Sequence, residues 1–193
     1  SCYTIRRELA MEIVREIEAL PGCTTYISAV KDGYVKEGAD ELYRWLTEGY
    51  QLDIKKLKRM PEDLPANDGI LSVEMYHPTR AEEIAHQGLY QKWHGHKELQ
   101  LVCAGKQWMN FTPINADKGI ALSEFQNRYG ITPGETMAFG DNMNDASMLL
   151  RADQSYAIGN ARKEIKSLTR FVADTNINDG VLQVLRTVKT NIQ

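Results

Sequence analysis

The chain is poor in the residues that build crosslinked, membrane-spanning or nucleic-acid-binding proteins. Three of its 193 residues are cysteine, Cys2, Cys23 and Cys103. None forms a Cys-x-x-Cys pair, and an odd, unpatterned set excludes a disulfide framework and fits a reducing compartment. No run approaches the ~18 apolar residues that a membrane span needs. Arg6, Arg7 and Glu8 stand near the start with no apolar run behind them. No secretory leader is therefore expected, and the expected location is cytoplasmic. An excess of one charge is missing too: 23 Lys and Arg stand against 26 Asp and Glu, a formal net charge of −3. That is too balanced for a nucleic-acid footprint. The basic cluster Lys55-Lys56-Leu57-Lys58-Arg59 is followed by Glu62 and Asp63 and reads as a solvated surface. What is present, 42% hydrophobic and 25% charged residues, is ordinary globular composition.

Hydrophobic spacing supplies the elements. Ile5, Leu9, Ile13, Ile17 and Leu20 recur at helical period, with Pro21-Gly22 as the stop. Thr24 to Val30 is β-branched and aromatic. Lys31-Asp32-Gly33 then turns into Tyr34-Val35, a hairpin signal. Ala39 to Thr47 reads as helix, Ile70 to Tyr76 as strand, Pro78 to about Tyr90 as helix, and Leu99 to Cys103 and Trp108 to Phe111 as strands joined by Ala104-Gly105-Lys106-Gln107. Near Thr112-Pro113 the pattern changes. Helices are expected at 117–129, 143–150, 161–168 and 180–188, and strands at 136–139, 154–158 and 171–173. Such alternation predicts a parallel sheet covered by helices. The expected domains are residues 1–112, antiparallel and α+β, and residues 113–193, α/β.

One stretch carries chemistry. Gly140-Asp141-Asn142-Met143-Asn144-Asp145 follows the apolar run Thr136-Met137-Ala138-Phe139 and precedes a helix. Two carboxylates and two amides thus occupy the loop at the carboxyl end of a strand, where open α/β sheets bind ligands. Hard oxygen donors suit Mg²⁺, which takes one or two carboxylates and keeps several waters. An EF-hand is excluded, because Met143, Ala146 and Ala152 stand where a ligand, Gly and Glu are required. Lys118 opens a helix within Asn115-Ala116-Asp117-Lys118-Gly119. Ala157-Ile158-Gly159-Asn160-Ala161 ends the next strand, and Thr175-Asn176-Ile177-Asn178-Asp179-Gly180-Val181 follows the last. Singly, Lys118 reads as a surface lysine, and Asp141 and Asp145 as acids favoured at a helix N-terminus. His94-Gly95-His96 lacks a third ligand and reads as a surface loop.

In order and spacing, the set Lys118-Gly119, Gly140-Asp141-x-x-Asn144-Asp145, Gly159-Asn160-Ala161 and Asn176-x-x-Asp179-Gly180-Val181 resembles the haloacid dehalogenase superfamily, in its Cof-type sugar-phosphatase branch. The resemblance implies an α/β fold in which residues 113–193 are the C-terminal part of a Rossmann-like core. Residues 1–112 correspond to an α+β cap domain, where one or two of Tyr26, Tyr34, Trp45 and Tyr76 face the substrate and the others are core. It implies hydrolysis of a small phosphorylated metabolite such as a sugar phosphate. An Asp carboxylate attacks, and water hydrolyses the resulting aspartyl-phosphate. Mg²⁺ and a lysine neutralise charge on the transferred group. Carried over, Lys118 is that lysine and Asp141 a direct Mg²⁺ ligand. Asp145 is a second carboxylate at the metal, acting through water or by orienting Lys118. Asn144 is a polar contact near phosphate or metal. Asn142, toward the metal, and Asn176, toward the phosphate, are weaker candidates.

The sequence departs from the family at the nucleophile. It contains no Asp-x-Asp, the motif that bears the attacking carboxylate on the family's first core strand. Nor does it match the Ser/Thr phosphate motif of the second. The chain is expected to start inside the cap, to lack roughly 60–90 residues and to be inactive alone. The strand before Asp141 would then want a neighbour, so a homodimer through this edge, or a segment supplied in trans, is expected. No nucleic-acid or membrane partner is expected. The alternative is a non-catalytic truncated fragment that binds metal or phosphate, or associates with itself.

Overall fold

The computed structural model describes residues 3–103 and 106–190, the last two by their backbone alone. Cys2 and the Ala104-Gly105 part of the strand connection lie outside the described residues. Two compact units divide between Asn115 and Ala116. Among the described residues no helix is long and apolar enough to cross a membrane.

The first unit is built on a six-stranded sheet. Its strands are β1 (Thr24–Ala29), β2 (Gly33–Lys36), β3 (Ile54–Leu57), β4 (Ile70–Tyr76), β5 (Leu99–Cys103) and β6 (Trp108–Pro113). Their order is β3-β2-β1-β4-β6-β5. All pairs are antiparallel except β2 with β3. Helix α1 (Arg7–Glu18) turns Leu9, Ile13, Val14 and Ile17 inward, onto a sheet face made by Ile27, Val73, Met75, Met109 and Phe111. Alternation along the strands sends Tyr26, Val35, Tyr76 and Trp108 to the opposite face. There they pack against Leu42 of α2 (Asp40–Arg44) and Leu46 of the wide π-turn, Trp45–Gly49, that prolongs it.

One sequence reading is extended here and another corrected. The basic cluster is the solvated surface expected, and Ile54–Leu57 within it is also the edge strand β3, parallel to β2. Lys55 and Lys56 are exposed and are paired with Asp32 and Asp40, each at 2.6 Å. Lysine on an edge strand discourages pairing with another chain. The expected helix from Pro78 to Tyr90 is two, α3 (Ala81–Gln87) and α4 (Leu89–Trp93), broken at Gly88. His77 serves the turn before α3, its Nδ1 accepting the N–H groups of Thr79 and Arg80 at 3.2 and 3.1 Å.

Glu74 of β4 gives a measurable consequence. Burial pushes its carboxyl up, and the hydrogen bond from Ser72 Oγ at 2.9 Å offsets only part of that. A raised carboxyl holds its proton better in the folded chain than in the unfolded one. Its ionisation therefore costs stability as pH rises through the native value. Glu74→Gln is expected to raise the thermal midpoint by roughly 2–5 °C at pH 7.5 and to gain nothing near pH 4, as followed by circular dichroism.

The second unit carries a parallel sheet, β7 (Met137–Gly140), β8 (Gln154–Ala157) and β9 (Phe171–Val172), in that order. Helices α5 (Lys118–Tyr129), α6 (Ala146–Leu149), α7 (Lys163–Leu168) and α8 (Gly180–Thr190) alternate with it. The core is small-sided: Ala138, Leu149, Ala152, Ala157, Ala161 and Ile165. On the other face Phe139, Tyr156 and Phe171 stack across the three strands, with ring centroids 5.1 and 5.0 Å apart. The helix expected over 143–150 begins instead as a 3-10 turn, Met143–Asp145, because Asp145 is drawn back under the strand end.

Candidate active site

Strand β7 ends at Gly140. A Cβ there would stand 2.5 Å from that of Asp145, so glycine alone lets the chain fold so closely over Asp145. Asn142 then caps the 3-10 turn, its Oδ1 accepting the Met143 N–H at 2.8 Å. This returns Asp145 beneath the loop, where Oδ2 accepts the N–H groups of Asp141 and Asn142 at 3.0 and 3.2 Å. Its Oδ1 takes the Lys118 ammonium at 2.5 Å. The pair is asymmetric: 7% of the Asp145 side chain is exposed, against 51% of Lys118. Burial alone would raise the Asp145 carboxyl, but Lys118 and the two backbone N–H groups outweigh it and hold it below the ordinary carboxylate range.

Lys118 is aimed by the start of α5. Asp117 caps that helix, its Oδ1 accepting the N–H groups of Gly119 and Ile120 at 2.9 and 3.0 Å. Its Oδ2 accepts from Ser147 Oγ at 2.6 Å, and Ser147 Oγ accepts the Gly119 N–H at 3.2 Å. Asp117 and Ser147 thus lock α5 against α6 and place Lys118 over Asp145. Sequence reading passed over both. The Asp before Lys-Gly was a legible cap signal, whereas nothing in the sequence ties Ser147 to it.

Asp141 is exposed and Asn144 half-buried in the same loop. The Asp141 carbonyl accepts the Arg162 N–H at 3.1 Å, so the loop after β8 adjoins this one. Asn160 in that loop accepts the Asn176 N–H at 3.3 Å. Lys118, Asp141, Asn142, Asn144 and Asp145 therefore form one cluster, and Asn176 lies beside the adjoining loop, its N–H on Asn160. The outward donors are all oxygen, led by the Asp141 carboxylate. That set fits Mg²⁺, while both Asp145 oxygens and Asn142 Oδ1 already hold protein donors.

The family model for haloacid dehalogenase-like hydrolases matches residues 1–185, and the chain belongs to that family. Among curated proteins, it is 32% identical over 90 residues to a 5-amino-6-(5-phospho-D-ribitylamino)uracil phosphatase of Bacillus subtilis, covering 47% of this chain and 36% of the relative. A second Bacillus subtilis phosphatase of that name is 28% identical over 162 residues, covering 80% and 54%. The chain thus spans about half, or less, of the length of these relatives. A crystal structure from Streptococcus mutans is 26% identical with a TM-score of 0.83, covering 97% of this chain and 70% of that one.

Proposed function

We propose that this chain supplies the phosphoryl-transfer site of a Mg²⁺-dependent phosphohydrolase that acts on a small phosphorylated metabolite, of the sugar-phosphate class. One observation carries the reading: buried Asp145 holds the exposed Lys118 ammonium at 2.5 Å, one loop from an outward Asp141. Lys118 meets the phosphoryl oxygens as a fixed positive charge and stabilises what develops there during transfer. Asp145 is a positioning residue, since its oxygens are committed to Lys118 and to the loop. Asp141 would hold Mg²⁺, with Asp145 reaching it at most through water because its oxygens are held by Lys118 and the loop, and the ion would supply Lewis-acid neutralisation of the phosphoryl charge. Asn144 contacts the phosphate, and Asn176 steadies the neighbouring loop. The first unit acts as the cap that selects the leaving group.

The sequence has no Asp-x-Asp. The attacking carboxylate, and the aspartyl-phosphate it forms, are assigned to a strand outside these 193 residues that pairs with the outer edge of β7. Joined to such a strand, the chain is expected to release phosphate from p-nitrophenyl phosphate in Mg²⁺, and alone it is expected to release none. Asp141→Ala in the completed protein should abolish the Mg²⁺-dependent release. Full activity in that variant overturns the assignment.

A further inference from the structure

A second constellation lies in the first unit. Glu82 and His86 are four residues apart on α3, so their side chains leave one face of that helix a turn apart. Cys103 ends β5. One ligand atom from each of the three lies within 4.8 Å of the other two, and no other such grouping of His, Cys, Asp or Glu occurs among the described residues. A tetrahedral ion with bonds of about 2.0–2.3 Å sets its ligand atoms roughly 3.3–3.8 Å apart. Small side-chain rotations would close the cluster onto one.

The surroundings hold these donors in place. The start of α3 is tied to the strand connection by the Ala81 N–H, which donates to the Lys106 carbonyl at 2.8 Å. The His86 ring rests against Tyr90, with centroids 4.8 Å apart. Cys103 Sγ sits 3.9 Å from Met109 Sδ, on the neighbouring strand. Glu82 and Cys103 are half-buried and His86 exposed, so one side of the cluster meets solvent. A cavity of about 410 Å³ opens on that side, lined by Thr79, Arg80, Glu82, Glu83, His86 and Lys106. Arg80 is paired with Glu83 at 3.8 Å.

We propose that Glu82, His86 and Cys103 are the protein ligands of a Zn²⁺ site, with the fourth position open to the cavity. The donor set decides the ion. One sulfur, one nitrogen and one oxygen suit a borderline-soft divalent cation and exclude Mg²⁺, which wants oxygen in octahedral array. The thiol passes its proton to solvent as the metal–sulfur bond forms. Lys106 at the mouth favours a small anion or water in the open position. The ion would clip α3 to the end of β5.

Co²⁺ is the probe, because a thiolate ligand gives it a charge-transfer absorption that oxygen ligands do not. One equivalent added to the full chain should produce that band, and one equivalent of Zn²⁺ should remove it. Cys103→Ser should abolish the band. Glu82→Gln and His86→Ala, on the accessible side, should weaken Co²⁺ binding roughly 10-fold or more with the circular dichroism unchanged. Cys23→Ser and Asp141→Asn should leave the band intact. The proposal is overturned if one equivalent of Co²⁺ gives no band, if the band survives Cys103→Ser, or if His86→Ala binds like the parent.

Discussion

Lys118→Ala in the completed enzyme is expected to lower phosphate release about a thousandfold, the upper range for removing one preorganised charge donor. Asp145→Ala should match that loss and add a structural one. Without its carboxylate the Asp141 and Asn142 N–H groups lose their acceptor, and Lys118 loses the partner that aims it. The cost to the second unit is expected to be about 2–4 kcal/mol, as for other broken buried pairs. Lys118→Ala should cost about 1 kcal/mol, because Asp145 keeps its two backbone donors. The sign with pH follows from the lowered Asp145 carboxyl. Its stabilisation is fully present above the ordinary value of 3.8 and is lost as pH falls through the lower native one. In Lys118→Ala the native value moves up, so acid unfolding should begin at higher pH. Urea and acid titrations by circular dichroism separate these effects from the kinetics. An Asp145→Ala chain as stable as the parent would show that the loop is not held by this carboxylate.

The residues of that pair were legible because they stand in a motif whose order survives translation into sequence. Their support was not. The Asp117–Ser147 bond joins residues 30 positions apart, and a serine in a short helix carries no mark of a partner so distant. The same holds for β3, where two lysines between Ile54 and Leu57 hide a strand that exists only because β2 offers it an edge. Periodicity found α1 without help, since a long amphipathic helix repeats its signal over three turns. It overran at Gly88, where α3 ends although the apolar spacing continues, and it started a helix too early at Met143, where the chain first makes a 3-10 turn capped by Asn142. Gly140 shows the limit most sharply. Its need for glycine comes from Asp145 folding back beneath it, a contact visible only once the turn is built.

Phe111→Ala is expected to be the largest single loss in the first unit, about 4 kcal/mol. Phe111 is 0% exposed and lies on β6, paired with Val73 of β4 on one side and Leu101 of β5 on the other. Its ring meets Trp93 edge-on, at 90° and 6.2 Å. Trp93 cannot move into the space, because its Nε1–H donates to Glu16 of α1 at 2.8 Å. The floor of the cavity is hydrogen-bonded sheet and one wall is a tethered indole, so the site cannot collapse, and the cavity cost adds to the lost transfer free energy. Phe111→Leu, which keeps most of the volume, should lose less than half as much. Trp93 fluorescence during urea unfolding reads both variants. A loss below about 1 kcal/mol for Phe111→Ala would mean that α1 and α4 follow the vacated space. With domain stabilities of about 5–15 kcal/mol, the expected loss takes a large share of the margin. It would place the stability of this unit on the α1 side of its sheet and leave the opposite face, against which α2 and its π-turn pack, freer to change.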